Sequence, residues 1–218
     1  MEETKYRFIA VEGPISCGKR KLAEQLAEAL QAEKLFDCDT NPFLEAFYKN
    51  VAGSAFQAQL FFLLSRNQLI QNLNQPSLFH DAKVADFLME KDRIYAYLNL
   101  SDSELMLYEK LYKTLALQDC QPDLVIYMQV TPETVRSNLK KMDRRSNYGL
   151  YTISDKYINE LIEAYNTFFF SHYKASPVIV LDANDLNFSY DPASFQEFLN
   201  VIMQHHVGLR YFTPFRNS

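Results

Sequence analysis

The chain has 218 residues, of which 48% are hydrophobic and 22% charged, and its formal net charge is -5 at pH 7. A single globular domain is the expectation at this length and composition. The negative net charge argues against a broad basic face for nucleic acid or for a membrane surface. No apolar run approaches the ~18 residues that a membrane span needs.

The cysteines indicate the compartment. Cys17, Cys38 and Cys120 are too few and too scattered for a disulfide framework. Thiols of this kind fit a reducing compartment. The polar, acidic residues 1–5 lead straight into an apolar run and do not form a signal peptide. The sequence therefore predicts a cytoplasmic protein that binds neither nucleic acid nor membrane.

Apolar runs and segments of helical periodicity alternate along the chain. In chain order we expect a strand at 6–12, a helix at 21–32, a strand at 34–38, a helix at 55–73, a strand at 83–87, a helix at 102–117, a strand at 123–130, a helix opened by Thr131 and Pro132, a helix at 154–173, a strand at 177–181 and a helix at 194–205. This alternation predicts an α/β fold with a parallel sheet flanked by helices. No linker or repeat marks a second domain.

A phosphate-binding loop is predicted between the first strand and the first helix. Residues 13–19 (GPISCGK) fit the pattern G-x-x-x-x-G-K in the context that this motif requires. Backbone N–H groups of such a loop and the following helix N-terminus face a phosphate, and the lysine adds a point charge. The predicted nucleotide-binding residues are Gly13, Ser16, Cys17, Gly18, Lys19 and Arg20.

Arg20 departs from the usual motif. The residue after the lysine is normally Ser or Thr, whose hydroxyl holds Mg²⁺ in P-loop enzymes. Arginine cannot coordinate a cation, and it brings a positive charge to the place of the metal. The loop therefore predicts binding of ATP or another nucleotide, whereas it argues against Mg²⁺, and no protein-held metal is expected.

Together with the loop, five further segments resemble the deoxynucleoside kinase family, especially its bacterial deoxyguanosine and deoxyadenosine kinase branch. They are 41–48 (NPFLEAFY), 55–66 (AFQAQLFFLLSR), 84–96 (VADFLMEKDRIYA), 122–127 (PDLVIY) and 177–182 (PVIVLD). The resemblance implies a P-loop NTPase-like fold with a helical lid. It also implies ATP as phosphoryl donor, a deoxynucleoside 5′-hydroxyl as acceptor, and a homodimer built from helices.

The resemblance also assigns residues to the acceptor. Gln59 and Arg66 match residues that face the base, and Tyr48 matches a tyrosine near the sugar. Asp86 matches an aspartate after the third strand. The alternatives are a polar pair on a buried helix, a surface aromatic, and a carboxylate that caps a loop.

Two stretches depart from the family's pattern. The family's general base, a glutamate five residues before the Asn-Pro pair, is replaced by Phe36. Asp37 could substitute only with a change of register, since neighbouring strand residues point to opposite faces. In the lid, Asn147 and Leu150 stand where the family has an arginine and a glutamate, which leaves Arg145 as the predicted catalytic arginine.

These departures leave three hypotheses. The first is a nucleotide-binding, deoxynucleoside-kinase-like protein whose phosphoryl transfer is weak or lost, working as a binding or assembly subunit. The second is an active deoxynucleoside kinase with rearranged chemistry, carried by Asp37, Asp86 and Arg145. The third is another P-loop function, such as a nucleotide-monophosphate kinase.

Domain boundaries follow from the same pattern. Residues 1–207 are predicted to form the single domain, and residues 208–218 a C-terminal tail with three aromatic side chains. A segment this short cannot form its own core. It either packs back on the domain or docks on a partner protein.

Overall fold

The computed structural model describes residues 6–38, 40–73, 80–115, 121–141, 153–185, 191–204 and 206–214. Within these ranges six strands form one sheet in the order β2-β3-β1-β4-β5-β6, and every neighbouring pair is parallel. The strands are β1 (Phe8–Glu12), β2 (Glu33–Leu35), β3 (Lys83–Ala85), β4 (Leu124–Gln129), β5 (Val178–Asp182) and β6 (Leu209–Phe212). The predicted α/β fold with a parallel sheet is confirmed.

Helices cover both faces of this sheet. They are α1 (Lys19–Ala29), α2 (Leu44–Tyr48), α3 (Ser54–Leu73), α4 (Lys91–Asn99), α5 (Asp102–Thr114), α6 (Pro132–Lys141), α7 (Asp155–Thr167), which continues into one π-helical turn (Phe168–His172), and α8 (Pro192–Ile202). Local sequence explains several starts: Ser101 and Glu104 form a capping box for α5, and Ser154 Oγ accepts from the N–H of Tyr157 at α7.

The core follows from the alternation of side chains along the strands. Ile9 and Val11 of β1 point into a cluster formed with α1, α6 and α8. Ala10, between them, points into a second cluster with α4 and α7. Both faces are buried, which explains why β1 and β4 read as continuous apolar runs rather than as alternating ones. No helix in the described part of the chain is both long and apolar enough to cross a membrane.

The C-terminal segment, which was predicted to be a tail, contains a strand of the sheet. Its residues 209–212 form β6, which pairs in parallel with β5, and the N–H of Val178 donates to Gly208 O at 2.8 Å. Phe212 is buried, with its ring centroid 5.0 Å from that of Phe198 in α8. The described part of the segment therefore packs on the domain, and the boundary predicted at residue 207 cuts off a strand of the sheet. Residues 215–218 lie outside the described ranges.

Two helices were not predicted from the sequence. The short α2 follows the Asn41-Pro42 breaker, and α4 begins at Lys91 with a run of charged residues. Both helices border the cavity described below. Their side chains on that side face the cavity rather than a large apolar core, so neither helix shows a clear apolar stripe in the sequence.

Candidate functional site

The phosphate loop joins β1 to α1 as the motif predicts. A Cβ atom at Gly13 would lie 2.8 Å from Cys17 Sγ and 2.8 Å from Met128 O, so the loop requires glycine there. Gly18 has φ 90°, a left-handed conformation that glycine adopts without strain. The Nζ atom of Lys19 donates to Gly13 O at 3.1 Å, which folds the lysine over the loop.

A cavity of about 640 Å³ opens beside this loop, and it runs between α2, α3 and α4. Its size is typical of a small-molecule site. Nine residues predicted from the sequence line it: Ser16, Gly18, Lys19, Arg20, Asp37, Tyr48, Gln59, Arg66 and Asp86. Gly13 and Cys17 are buried behind the loop. Arg145, Asn147 and Leu150 lie outside the described residues.

Arg20 lines the cavity and contacts Asp86, Asp37 and Phe36 among the described residues. Its Nε lies 2.5 Å from Asp86 Oδ2, and its Nη2 donates to the backbone oxygen of Asp37 at 2.7 Å. Its guanidinium carbon lies 4.6 Å from the centroid of the Phe36 ring, within the range of a cation–π contact. Arg20 and Phe36, two positions at which the sequence departs from the expected pattern, are therefore in contact with each other.

Asp86 is committed on both carboxylate oxygens. Oδ2 faces Arg20, while Oδ1 accepts from the N–H of Asp37 at 2.7 Å. No cluster of three or more His, Cys, Asp or Glu side chains that could hold a metal ion occurs among the described residues. P-loop enzymes bind Mg²⁺ next to the loop lysine. In this chain that position holds the Arg20 guanidinium and the Asp86 carboxylate, whose oxygens are already engaged, so the residues present do not fit Mg²⁺.

Asp37 lines the cavity, whereas its neighbour Phe36 packs against the core cluster that contains Ile9 and Val11. The strand expected at 34–38 is shorter in the structure, because β2 ends at Leu35. The Asp37 carboxylate lies 2.7 Å from Arg66 Nη2 and 3.1 Å from Lys91 Nζ. Burial raises the pKa of Asp37, but Arg66 and Lys91 outweigh it and hold the pKa well below its usual range.

Arg66 joins Asp37 to a second buried carboxylate that the sequence analysis did not single out. Its Nη1 pairs with Asp92 Oδ1, and Asp92 Oδ2 accepts from the hydroxyl of Tyr108 at 2.8 Å. Gln59 donates to the backbone oxygen of Asp92 at 2.7 Å. The predicted base-facing pair, Gln59 and Arg66, is therefore brought together at one end of the cavity and held by Asp92.

Lys91 was also missed, and it connects this group to the phosphate loop. Its buried Nζ lies 3.1 Å from Asp37 and 3.6 Å from Glu12 Oε2. Glu12, fully buried at the end of β1, accepts from the N–H groups of Gly13 and Leu88 at 2.8 and 2.9 Å. Lys91 and Asp92 belong to a run of four charged residues, 90–93, that follows a buried strand, and nothing in this run distinguishes the two buried side chains from their neighbours.

Tyr48 lines the cavity between the loop and α3, as predicted. Burial, with Tyr95 and Tyr157 nearby, raises its pKa well above the ordinary value, so the hydroxyl stays protonated near neutral pH. A protonated phenol can donate a hydrogen bond to a ligand oxygen. The cavity thus has cationic groups at the loop and a hydroxyl, an amide and a guanidinium at the far end.

Comparison with known proteins agrees with this geometry. A model of the deoxynucleoside kinase family matches residues 9–207. The chain is similar to a deoxyguanosine kinase of Bacillus subtilis (strain 168), with 28% identity over 194 residues, covering 87% of this chain and 92% of that protein. It is similar to a deoxyadenosine kinase of Dictyostelium discoideum, with 31% identity over 211 residues, covering 93% and 80% of the two proteins. A solved structure of deoxyadenosine kinase from M. mycoides with bound dATP superposes with a TM-score of 0.71 at 26% identity, covering 88% of this chain and 99% of that chain.

Proposed function

Because the chain belongs to the deoxynucleoside kinase family, we propose that it binds a nucleotide and a deoxynucleoside in this cavity, with phosphoryl transfer from ATP to the 5′-hydroxyl weak or lost. One observation carries the proposal: Arg20 lies over Phe36 and pairs with Asp86. The positions that the family resemblance gives to the metal ligand and the general base are thereby occupied by two side chains that contact each other.

The two ends of the cavity suggest how the ligands lie. Phosphates bind at the loop, where Lys19 and the N-terminus of α1 supply positive charge. The deoxynucleoside lies toward α3, where the Gln59 amide can both donate to and accept from a base edge. Arg66 supports that end from its position between Asp37 and Asp92, and Tyr48 offers a hydroxyl to the sugar.

Slow transfer follows from what each side chain can still do. Phe36 has no group that takes a proton, and both oxygens of Asp86 are engaged. Loss of a general base typically lowers a rate by about 10² to 10⁴. A protein with such a site works as a nucleotide-binding or assembly subunit of its family.

A second candidate is an active kinase, and the place of Asp37 favours it. The Asp37 carboxylate lies in the cavity and pairs with Lys91 and Arg66. A carboxylate is therefore available one residue after Phe36, the position where the family has its general base. Its lowered pKa makes it a weak base, yet phosphoryl transfer depends mainly on positioning and charge stabilisation. In this second candidate Asp37 would take the 5′-hydroxyl proton, Arg145 would stabilise the transferred phosphoryl group, and Asp86 is the carboxylate that would hold a metal.

A transfer assay separates the two candidates. Radiolabelled ATP is incubated with each of the four common deoxynucleosides, and the monophosphate product is quantified. The first candidate expects little or no product together with a thermal shift on adding nucleotide, whereas turnover at about 1 s⁻¹ or faster, as in working kinases, would establish the second. A ligand at about 100 times its dissociation constant stabilises the fold by roughly 2.7 kcal/mol, so binding without turnover is measurable.

We propose a homodimer formed through α3 and α5, in the cytoplasm. These two helices contact each other, and they carry four apolar side chains that the single chain leaves exposed: Leu64, Met106, Leu107 and Leu111. Exposed apolar side chains on two helices in contact are what a protein interface would cover. The free thiols of Cys17 and Cys38 support a reducing compartment.

A further inference from the structure

Arg20 occupies the first turn of α1, next to the lysine of the phosphate loop. We propose that its guanidinium is a permanent countercharge in place of a divalent cation, so that the site prefers nucleoside di- and triphosphates free of Mg²⁺ and binds them more weakly when Mg²⁺ is present. The inference rests on the proposed nucleotide binding and adds the form of ligand that the site selects.

The first support is the fixed position of Arg20. A guanidinium held by a carboxylate, a backbone oxygen and an aromatic ring is ordered before any ligand arrives. Its side chain is still 31% exposed, and it lines the cavity beside Lys19. The positive charge of the guanidinium therefore faces the cavity beside the loop, where a phosphate would bind.

The second support is the charge at the place where a metal would bind. Arg20 replaces the hydroxyl that would coordinate Mg²⁺, and it takes one oxygen of Asp86, while the N–H of Asp37 takes the other. A divalent cation there would gain neither ligand and would lie beside a positive charge. A nucleotide that carries Mg²⁺ must lose the metal or displace Arg20 from Asp86, and either step costs binding free energy.

The third support comes from Phe36 and Asp86, the two side chains that Arg20 contacts. If Arg20 swung away to admit a metal, its contact with the Phe36 ring would be lost. Asp86, which is 3% exposed, would exchange a guanidinium already in place for a cation that gives up its hydration water reluctantly. The contact of Arg20 with Phe36 thus stabilises the metal-free arrangement specifically.

The test is a pair of calorimetric titrations with ADP and with ATP, one in EDTA and one with Mg²⁺ in excess over the nucleotide. We expect the dissociation constant in EDTA to be the lower one. Binding that becomes about tenfold tighter with Mg²⁺ would overturn the inference and leave nucleotide binding intact. Binding in neither buffer would overturn the proposed nucleotide function as well, and the inference with it.

Variants assign the effect to Arg20. The substitution Arg20→Thr restores a hydroxyl and frees Asp86, so Mg²⁺ should tighten nucleotide binding in this variant. Arg20→Lys keeps the positive charge but not the guanidinium contacts, so it should bind nucleotide more weakly than the parent and still not require Mg²⁺. Lys21→Thr, at an exposed position in the same turn, controls for loss of a positive charge from α1. If Arg20→Thr does not fold, the parent and Arg20→Lys titrations still decide, because an Mg²⁺ requirement in either contradicts the inference.

Discussion

The guanidinium of Arg20 rests on the ring of Phe36, with 4.6 Å between the guanidinium carbon and the ring centroid. Two departures from the family pattern, 16 residues apart in the chain, thus form one contact. Neither side chain can be restored alone without losing the other's partner, which makes the pair a unit for mutagenesis.

The first prediction concerns restoring both residues together. Arg20→Thr and Phe36→Glu are each expected to add little transferase activity, because the metal ligand and the base act together. The double variant, assayed with Mg²⁺, should exceed either single variant by about 10² in rate. A double variant that folds and binds ATP yet gains no activity would show that the acceptor end of the site is lost.

The second prediction concerns Asp37, which balances Arg66 and Lys91. Removing one partner of a buried ion pair typically costs about 3–5 kcal/mol, so Asp37→Asn should lower the free energy of unfolding by an amount of this order. Glu45→Gln, which removes an exposed carboxylate paired with Lys49, is the matched control and should change little. Urea unfolding at pH 7 measures both.

The pH dependence of this loss follows from the lowered pKa of Asp37. The folded carboxyl titrates below the unfolded one, so its stabilising effect is present above the unfolded pKa of about 3.9 and disappears as the pH falls further. The difference between the parent and Asp37→Asn should therefore stay constant from pH 7 to 5 and shrink below about pH 4. A difference that grows on acidification would contradict the ion-pair account.

The third prediction separates the two ends of the cavity. Gln59 lies in the cavity, and Gln57, two residues earlier on α3, is exposed. Gln59→Leu should weaken deoxynucleoside binding by about tenfold, the effect of losing a base-edge contact worth roughly 1.4 kcal/mol, and leave ADP binding unchanged. Gln57→Leu should affect neither ligand. Equal loss of both ligands in Gln59→Leu would indicate a general disturbance of the cavity.

The fourth prediction addresses the proposed homodimer. Leu64→Glu places a charge in the exposed apolar surface of α3 and should convert a dimer into a monomer, as sedimentation velocity would record. Val207→Glu changes an exposed apolar residue on a different part of the surface and should leave the assembly unchanged. A parent protein that sediments as a monomer would remove the basis of the proposal.

The fifth prediction concerns the C-terminal strand. Phe212 is 8% exposed and packs on Phe198, so Phe212→Ala should destabilise the protein by about 3–5 kcal/mol, the usual cost of a large-to-small aromatic change in a core. Tyr211, 67% exposed in the same strand, provides the control, and Tyr211→Ala should cost much less. Equal effects on the denaturation midpoint would argue against a core role for the strand.

The strands were predictable from the sequence where the sheet is buried on both of its faces. β1, β4 and β5 are apolar on both faces, and that pattern is unambiguous in the sequence. β6 was missed because an edge strand of four residues, with Arg210 and Tyr211 exposed, has no apolar run to reveal it. Its burial depends on contacts with β5 and α8, which local sequence does not encode.

The site was predictable where a motif fixes the backbone, as in the phosphate loop. It was less so where charges pair across distant segments. Lys91 and Asp92 look like solvent-facing charges at the start of a helix, yet both are buried against Asp37 and Arg66. The strand expected at 34–38 ends at Leu35, and only the pairing of β2 with β3 shows that Asp37 lies beyond it.

The ion pairs that run from Glu12 through Lys91, Asp37 and Arg66 to Asp92 have a consequence for the entropy of binding. Ordering a long side chain on association commonly costs about 0.5–1.5 kcal/mol. Here the lysine and the arginine are already immobilised by carboxylates from three separate segments of the chain. These side chains lose their rotamer freedom when the protein folds. A ligand that binds in the cavity should therefore cause little further loss of side-chain entropy.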